Sequence, residues 1–119
     1  MHLRTCPANP PKHAIGDTVS AFCPRFQYAI ELLGRRWVGA VLRVLIAGPA
    51  RFNEILTAIP GLSDRLLTER LRELETEGLI TRTVSNDRPV RVTYTLTTSG
   101  SSLTTIVNEI STWAERWVI

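Results

Sequence analysis

Arg65, Thr68, Glu69 and Arg72 stand at i, i+3, i+4 and i+7, the spacing that gathers side chains on one face of a helix. Those residue types suit the edges of DNA bases. An arginine fork bridges the two major-groove acceptors of guanine, and a glutamate accepts from the amino group of cytosine. A helix entering the major groove reads bases mainly with its N-terminal half. Ser63, Arg65, Thr68 and Glu69 are therefore the expected base readers, and Arg72, one turn further on, an expected phosphate contact. Arg88 and Arg91 lie at or beside a short turn, where they can neutralise phosphates and release counterions. Arg51 and Arg82 are weaker candidates for the same work. A second chemistry belongs to Cys23: a thiol at a helix N-terminus has its thiolate favoured by the helix dipole and the free amides, and such a thiolate reacts with electrophiles and oxidants. The plainer alternative is a small capping residue.

The elements that must position these groups follow from local patterns. Ser63 caps a helix that ends before Gly78. Its inward side is Leu67, Leu71 and Leu74, with Leu66 and Arg70 flanking, and Arg65, Thr68, Glu69, Arg72 and Thr76 lie opposite. A shorter helix, Asn53 to Ile59 with Asn53 as cap, precedes it across the Pro60-Gly61 turn, and Arg51-Phe52 form a very short strand before that. Ile80 to Ser85 and Val90 to Leu96 read as strands around the Asn86-Asp87-Arg88-Pro89 turn; in the second, Val90, Val92, Tyr94 and Leu96 alternate with polar residues. Upstream, Cys23 and Pro24 mark the cap and first residue of a helix whose apolar face is Phe26, Ala29, Ile30 and Leu33, stopped by Gly34. A helix from about Arg36 to Ala47 carries a wide apolar stripe that includes Trp37, as expected of a central element touched on two sides. From about Thr98 to the end, Leu103, Ile106, Val107, Ile110, Trp113, Ala114 and Trp117 mark one long amphipathic helix.

Composition bounds the rest. The chain has 119 residues, 44% of them hydrophobic, which suits one core. Residues 1–22, with little periodicity, are expected to be a flexible arm, and 23–119 the folded domain. No apolar run approaches the roughly 20 residues of a membrane span, and the N-terminus lacks the apolar block of a secretory signal, so a cytoplasmic protein without membrane partners is expected. Net charge is +3, and Lys12 is the only lysine. This balance is compatible with nucleic acid, but it is equally what genomic base composition would produce. The proposed reading helix is itself acid-rich: Ser63–Glu77 holds three arginines and five carboxylates, with Glu73, Glu75 and Glu77 at its far end. Cys6 and Cys23, with His2 and His13, match no metal-site spacing, so neither metal nor cofactor is expected. There is no Ser-His-acid set and no glycine-rich phosphate loop, so an enzyme is not expected.

These pieces resemble the HxlR family of bacterial transcriptional regulators, relatives of the MarR-type winged helices. The likeness runs in order through Cys23-Pro24, Leu33-Gly34-Arg35-Arg36-Trp37, Gly48-Pro49-Ala50-Arg51-Phe52-Asn53-Glu54-Ile55 and Ile59-Pro60-Gly61-Leu62-Ser63. It continues through Leu67-Thr68-Glu69-Arg70-Leu71-Arg72-Glu73-Leu74-Glu75, Gly78-Leu79-Ile80, and Val92-Thr93-Tyr94-Thr95-Leu96-Thr97 with Gly100, and covers about residues 23–117. It departs at Arg35-Arg36, where the family usually has a Gly-Lys-type pair, and in a wing short of prolines. The resemblance implies a mainly α, α+β winged helix: a three-helix helix-turn-helix core, a two- to three-stranded wing and a long C-terminal dimerisation helix. It also implies a homodimer placing two recognition helices on a roughly palindromic operator, and a redox or electrophile response through Cys23, as some members have at the matching position. Phe26 and Ile30, with Ile106, Val107, Ile110, Trp113 and Trp117, are the expected dimer surface. A small-molecule effector in a dimer pocket, and a winged helix used to bind protein or RNA, stay open as alternatives.

Overall fold

The computed structural model describes residues 21–119, so the expectations for Cys6, His2, His13 and most of the N-terminal arm lie outside the described residues. The described residues fall into two units, divided between Arg36 and Trp37. The described part of the first holds α1 (Pro24–Leu33). Pro24 occupies its first turn, and the Cys23 sulfur accepts from the Phe26 N–H at 3.3 Å, as the sequence predicts. The predicted apolar face is not packed: Phe26, Ala29 and Ile30 are exposed, and Leu32 is the buried residue of the helix.

The second unit contains α2 (Val38–Ala47), β1 (Ala50–Arg51), α3 (Phe52–Ala58), α4 (Asp64–Thr76), β2 (Ile80–Val84), β3 (Val92–Leu96), α5 (Thr98–Ser101) and α6 (Thr104–Trp117). Here α2 is the hub. Val38, Val41, Leu42 and Leu45 are buried, and the helix packs on α3, α6 and β3. Ile55, Leu67, Leu71 and Leu74 complete the helical core. The three strands form one antiparallel sheet in the order β1-β3-β2. Ala50 pairs with Tyr94, and on the other side of β3 Arg82 pairs with Tyr94 and Ile80 with Leu96.

Three departures from the expected boundaries have a visible cause, and a fourth, the start of β3 at Val92 rather than Val90, leaves Val90 62% exposed. Trp37 is outside α2: it is the N-cap, in the left-handed region at φ 76°, a conformation that costs a non-glycine residue roughly 1–2 kcal/mol. Its ring end lies 3.5 Å from where a Cβ on Gly61 would sit, so Gly61, itself at φ 87°, leaves room for the indole at the turn before α4. Helix α3 begins at Phe52, and Asn53 is not its cap. The Glu54 carboxylate reaches back to the Arg51 N–H at 2.8 Å, which sets the start earlier, and β1 takes Ala50 and Arg51 rather than Arg51 and Phe52. The terminal helix is broken in two. Thr97 caps α5 by accepting from the Gly100 N–H, and the Leu103 N–H turns back to the Gly100 carbonyl at 3.1 Å, which ends α5 before α6 begins.

Candidate nucleic-acid interface

Helix α4 is built to hold one face outward. At its start the Ser63 hydroxyl accepts from the Leu66 N–H at 3.1 Å. At its end the Gly78 N–H donates to the Glu75 carbonyl and the Leu79 N–H to the Leu74 carbonyl, the paired closure of a Schellman cap, with Gly78 at φ 77°. Leu67, Leu71 and Leu74 point inward and are almost fully buried. Burial of each such leucine stabilises by about 1.5–3 kcal/mol, so the helix cannot rotate to hide its polar side. Arg65, Thr68, Glu69, Arg72 and Thr76 are all exposed, the face predicted from spacing.

Within that face the side chains are not equivalent. Arg65 is 91% exposed, and its Nε lies 3.6 Å from the Glu69 carboxylate, an i,i+4 pair that orients the guanidinium. The Thr68 hydroxyl donates to the Asp64 carbonyl at 2.8 Å and keeps its lone pairs for a ligand donor. Ser63, expected among the base readers, has its oxygen engaged in the helix cap. Arg70, whose side chain is only 17% exposed, leans to the core flank and pairs with Glu73 at 3.1 Å.

The sheet sets the basic groups around this helix. The Thr97 hydroxyl donates to the Gly78 carbonyl at 2.6 Å, and the Thr97 N–H to the Leu79 carbonyl, so the end of β3 is tied to the end of α4. At the wing tip the Arg91 N–H donates to the Ser85 hydroxyl and the Ser85 N–H to the Arg91 carbonyl, which closes the loop and leaves the Arg88 and Arg91 side chains exposed. Arg51 and Arg91 border one open cleft of about 440 Å³ between the start of α3 and the wing. Arg51 also pairs with Glu54 at 3.5 Å. Arg72 and Arg82 border a second cleft, of about 350 Å³, together with Thr68, Glu75 and Tyr94. Tyr94 had no functional signal in the sequence, since its alternation marks a strand and does not reveal which residue stands across from it.

Residues 32–119 match the family model described as HxlR-like helix-turn-helix. The chain belongs to this family. Like its HxlR relatives it is a DNA-binding helix-turn-helix regulator of transcription, and not an enzyme. It is 48% identical over 99 residues to the uncharacterized HTH-type transcriptional regulator YvaP of Bacillus subtilis strain 168, covering 83% of this chain and 92% of that one. It is 42% identical over 103 residues to the regulator YodB of the same organism, covering 87% and 89%. The reduced form of YodB superposes with a TM-score of 0.74 over 82% of this chain and 95% of that one. YodB has also been solved treated with diamide and bound to quinone.

Two further groups of HxlR residues were expected to act. Cys23 is half-buried at the N-terminus of α1, and its sulfur is that of a disulfide cysteine rather than a free thiol. On α6, Ile106, Ile110, Trp113 and Trp117 are exposed by 47%, 56%, 61% and 62%, and on α1 Phe26 and Ile30 are exposed as well. Val107 was expected on the same surface, but it is 8% exposed and buried in the chain's own core, where α6 packs on α2. Among the described residues, no helix is long and apolar enough to cross a membrane.

Proposed function

We propose that the protein is a sequence-specific regulator that binds a roughly palindromic operator as a homodimer, reading bases with Arg65, Thr68 and Glu69 and holding phosphates with Arg51, Arg72, Arg88 and Arg91. The observation that carries this is the outward face of α4: polar groups at i, i+3, i+4 and i+7 on a helix locked by Leu67, Leu71 and Leu74 and closed at both ends. The apolar row on α6 supplies the reason for two copies, because two tryptophans and two isoleucines on one helix are more apolar surface than a lone subunit usually leaves in water. A two-fold dimer repeats the reading helix about one DNA turn away, roughly 34–36 Å. The test is selection of duplexes from a random pool by the purified protein, followed by sequencing. An inverted repeat with half-sites about 10 base pairs apart is expected; enrichment of a single unsymmetrical site would overturn the dimeric mode.

A redox or electrophile response at Cys23 is supported by one structural fact and one likeness. The sulfur sits at a helix start, accepting from the Phe26 N–H, and it already takes part in a disulfide. The similar regulator YodB has been solved in reduced, diamide-treated and quinone-bound forms. The disulfide is first reduced with a thiol, which frees the Cys23 thiolate, and operator binding is then measured before and after quinone treatment, in the parent and in Cys23→Ser, which keeps a capping oxygen. A response confined to the parent is expected, and equal responses would eliminate Cys23 as the sensor.

A further inference from the structure

The cleft between α4 and the sheet holds a group that the base-reading face does not use. Tyr94 is 9% exposed, with its ring packed away, yet its hydroxyl makes no hydrogen bond among the described residues. No side-chain polar atom of the described residues is sealed from solvent without a partner, so this hydroxyl opens to the cleft that Tyr94 lines. Directly across the ladder from it stands Arg82, and cross-strand partners share a sheet face. Facing both is Arg72, one helical turn beyond Thr68 and so on the outward face of α4. Neither arginine has an ion pair among the described residues, although the Glu75 carboxylate borders the same cleft. Two guanidinium groups against one carboxylate leave the cleft with an excess positive charge.

We infer that this cleft seats one backbone phosphate of bound DNA, held by Arg72 from the helix, Arg82 from the wing strand and the hydroxyl of Tyr94 from below. The inference rests on the DNA-binding function and adds two residues to it. The cleft lies at the end of the base-reading row, where a helix leaving the groove meets the sugar-phosphate backbone. Its lining is unlike that of a small-molecule site, which is mostly apolar with a few polar groups; here charged and hydroxyl groups outnumber the apolar Phe52 and Leu71. A phosphate held from both the helix and the sheet fixes the angle between α4 and the duplex, because α4 and β2 are packed together. Contacts of this kind position a protein on DNA without reading its sequence. Glu75 works against the anion and limits how tightly non-operator DNA is held.

The test uses the full chain and a fluorescein-labelled duplex of mixed sequence, about 30 base pairs or three turns, titrated between about 50 and 200 mM salt. Arg82→Gln is expected to weaken binding and to lower the slope of log K against log salt by about 0.9 per protomer, one phosphate contact. Tyr94→Phe is expected to weaken binding by about tenfold or more per protomer, as for a hydrogen bond to a charged group, with the slope unchanged, since an uncharged donor displaces no counterion. It should also leave the melting temperature alone, because the hydroxyl has no partner among the described residues. Glu75→Gln is expected to strengthen binding. If Arg82→Gln and Tyr94→Phe both retain the parent's affinity and slope, the phosphate seat is wrong, while a change of base preference in Arg65→Ala leaves the DNA-reading face standing. A lowered melting temperature in Tyr94→Phe, or weaker binding in Glu75→Gln, also overturns it. A parent chain with no salt-sensitive affinity for duplex overturns the DNA function itself.

Discussion

Replacing Arg65 by alanine separates what the recognition face does from what holds it in place. The side chain is 91% exposed, and its described ion pair is the 3.6 Å approach to Glu69, so the fold loses little when it goes. An exposed i,i+4 pair contributes about 0.3–0.5 kcal/mol, which moves the melting temperature of a domain this size by only a few degrees at most. The loss on DNA is much larger. The guanidinium fork can bridge the paired acceptors of a guanine, a contact that discriminates by about 1–3 kcal/mol. That corresponds to roughly 5- to 150-fold in preference per half-site. The measurement is competition between the selected operator and duplexes carrying each substitution at one base pair, for parent and Arg65→Ala, beside a thermal melt of both proteins. Arg65→Ala should flatten the preference at one position in each half-site and leave the others. A variant that keeps every base preference refutes the assignment of Arg65. A variant that melts many degrees lower refutes the claim that the face is free of structural duty.

Other perturbations follow from the same geometry. Ser63→Ala should cost about 1 kcal/mol through the lost cap to the Leu66 N–H, seen as a lower melting temperature, with base preference kept because the hydroxyl is occupied in the helix. Gly100→Ala and Gly78→Ala should differ sharply. A Cβ at Gly100 would collide with the Leu79 carbonyl and cost at least 1–3 kcal/mol, whereas Gly78 has open space and only its φ of 77° against it, a cost of about 1 kcal/mol. Urea denaturation of the two variants checks the order. Trp113→Glu, on the exposed row of α6, should shift sedimentation at micromolar protein from dimer toward monomer and weaken operator binding in parallel; an unchanged dimer places the interface elsewhere.

The recognition helix was legible because all its determinants are local. Leucines at i, i+4 and i+7 choose the buried side, Ser63 begins the helix, Gly78 ends it, and the outward face is whatever remains. The wing strands were legible as β-branched and aromatic runs around a turn, but the alternation from Val90 to Leu96 does not carry over into burial: Tyr94 is buried, the other residues of β3 are half-buried, and Val90 is exposed outside the strand. The first helix shows where such reasoning stops. Phe26, Ala29 and Ile30 carry the same helical spacing as the core leucines, yet they are exposed. Periodicity reports that a face is apolar and is silent about what covers it.

From the sequence alone come the order of the elements, the winged helix-turn-helix class, the capped ends of α4 and the identity of its outward residues, since each depends on contacts within a few positions of the chain. Tertiary structure decided the rest. It placed Trp37 in the left-handed region against Gly61, took Val107 from the surface row into the core, and set Arg82 across from Tyr94 beside Arg72. These pairings join residues that spacing cannot relate, because strand register and helix docking are settled by packing across the whole domain.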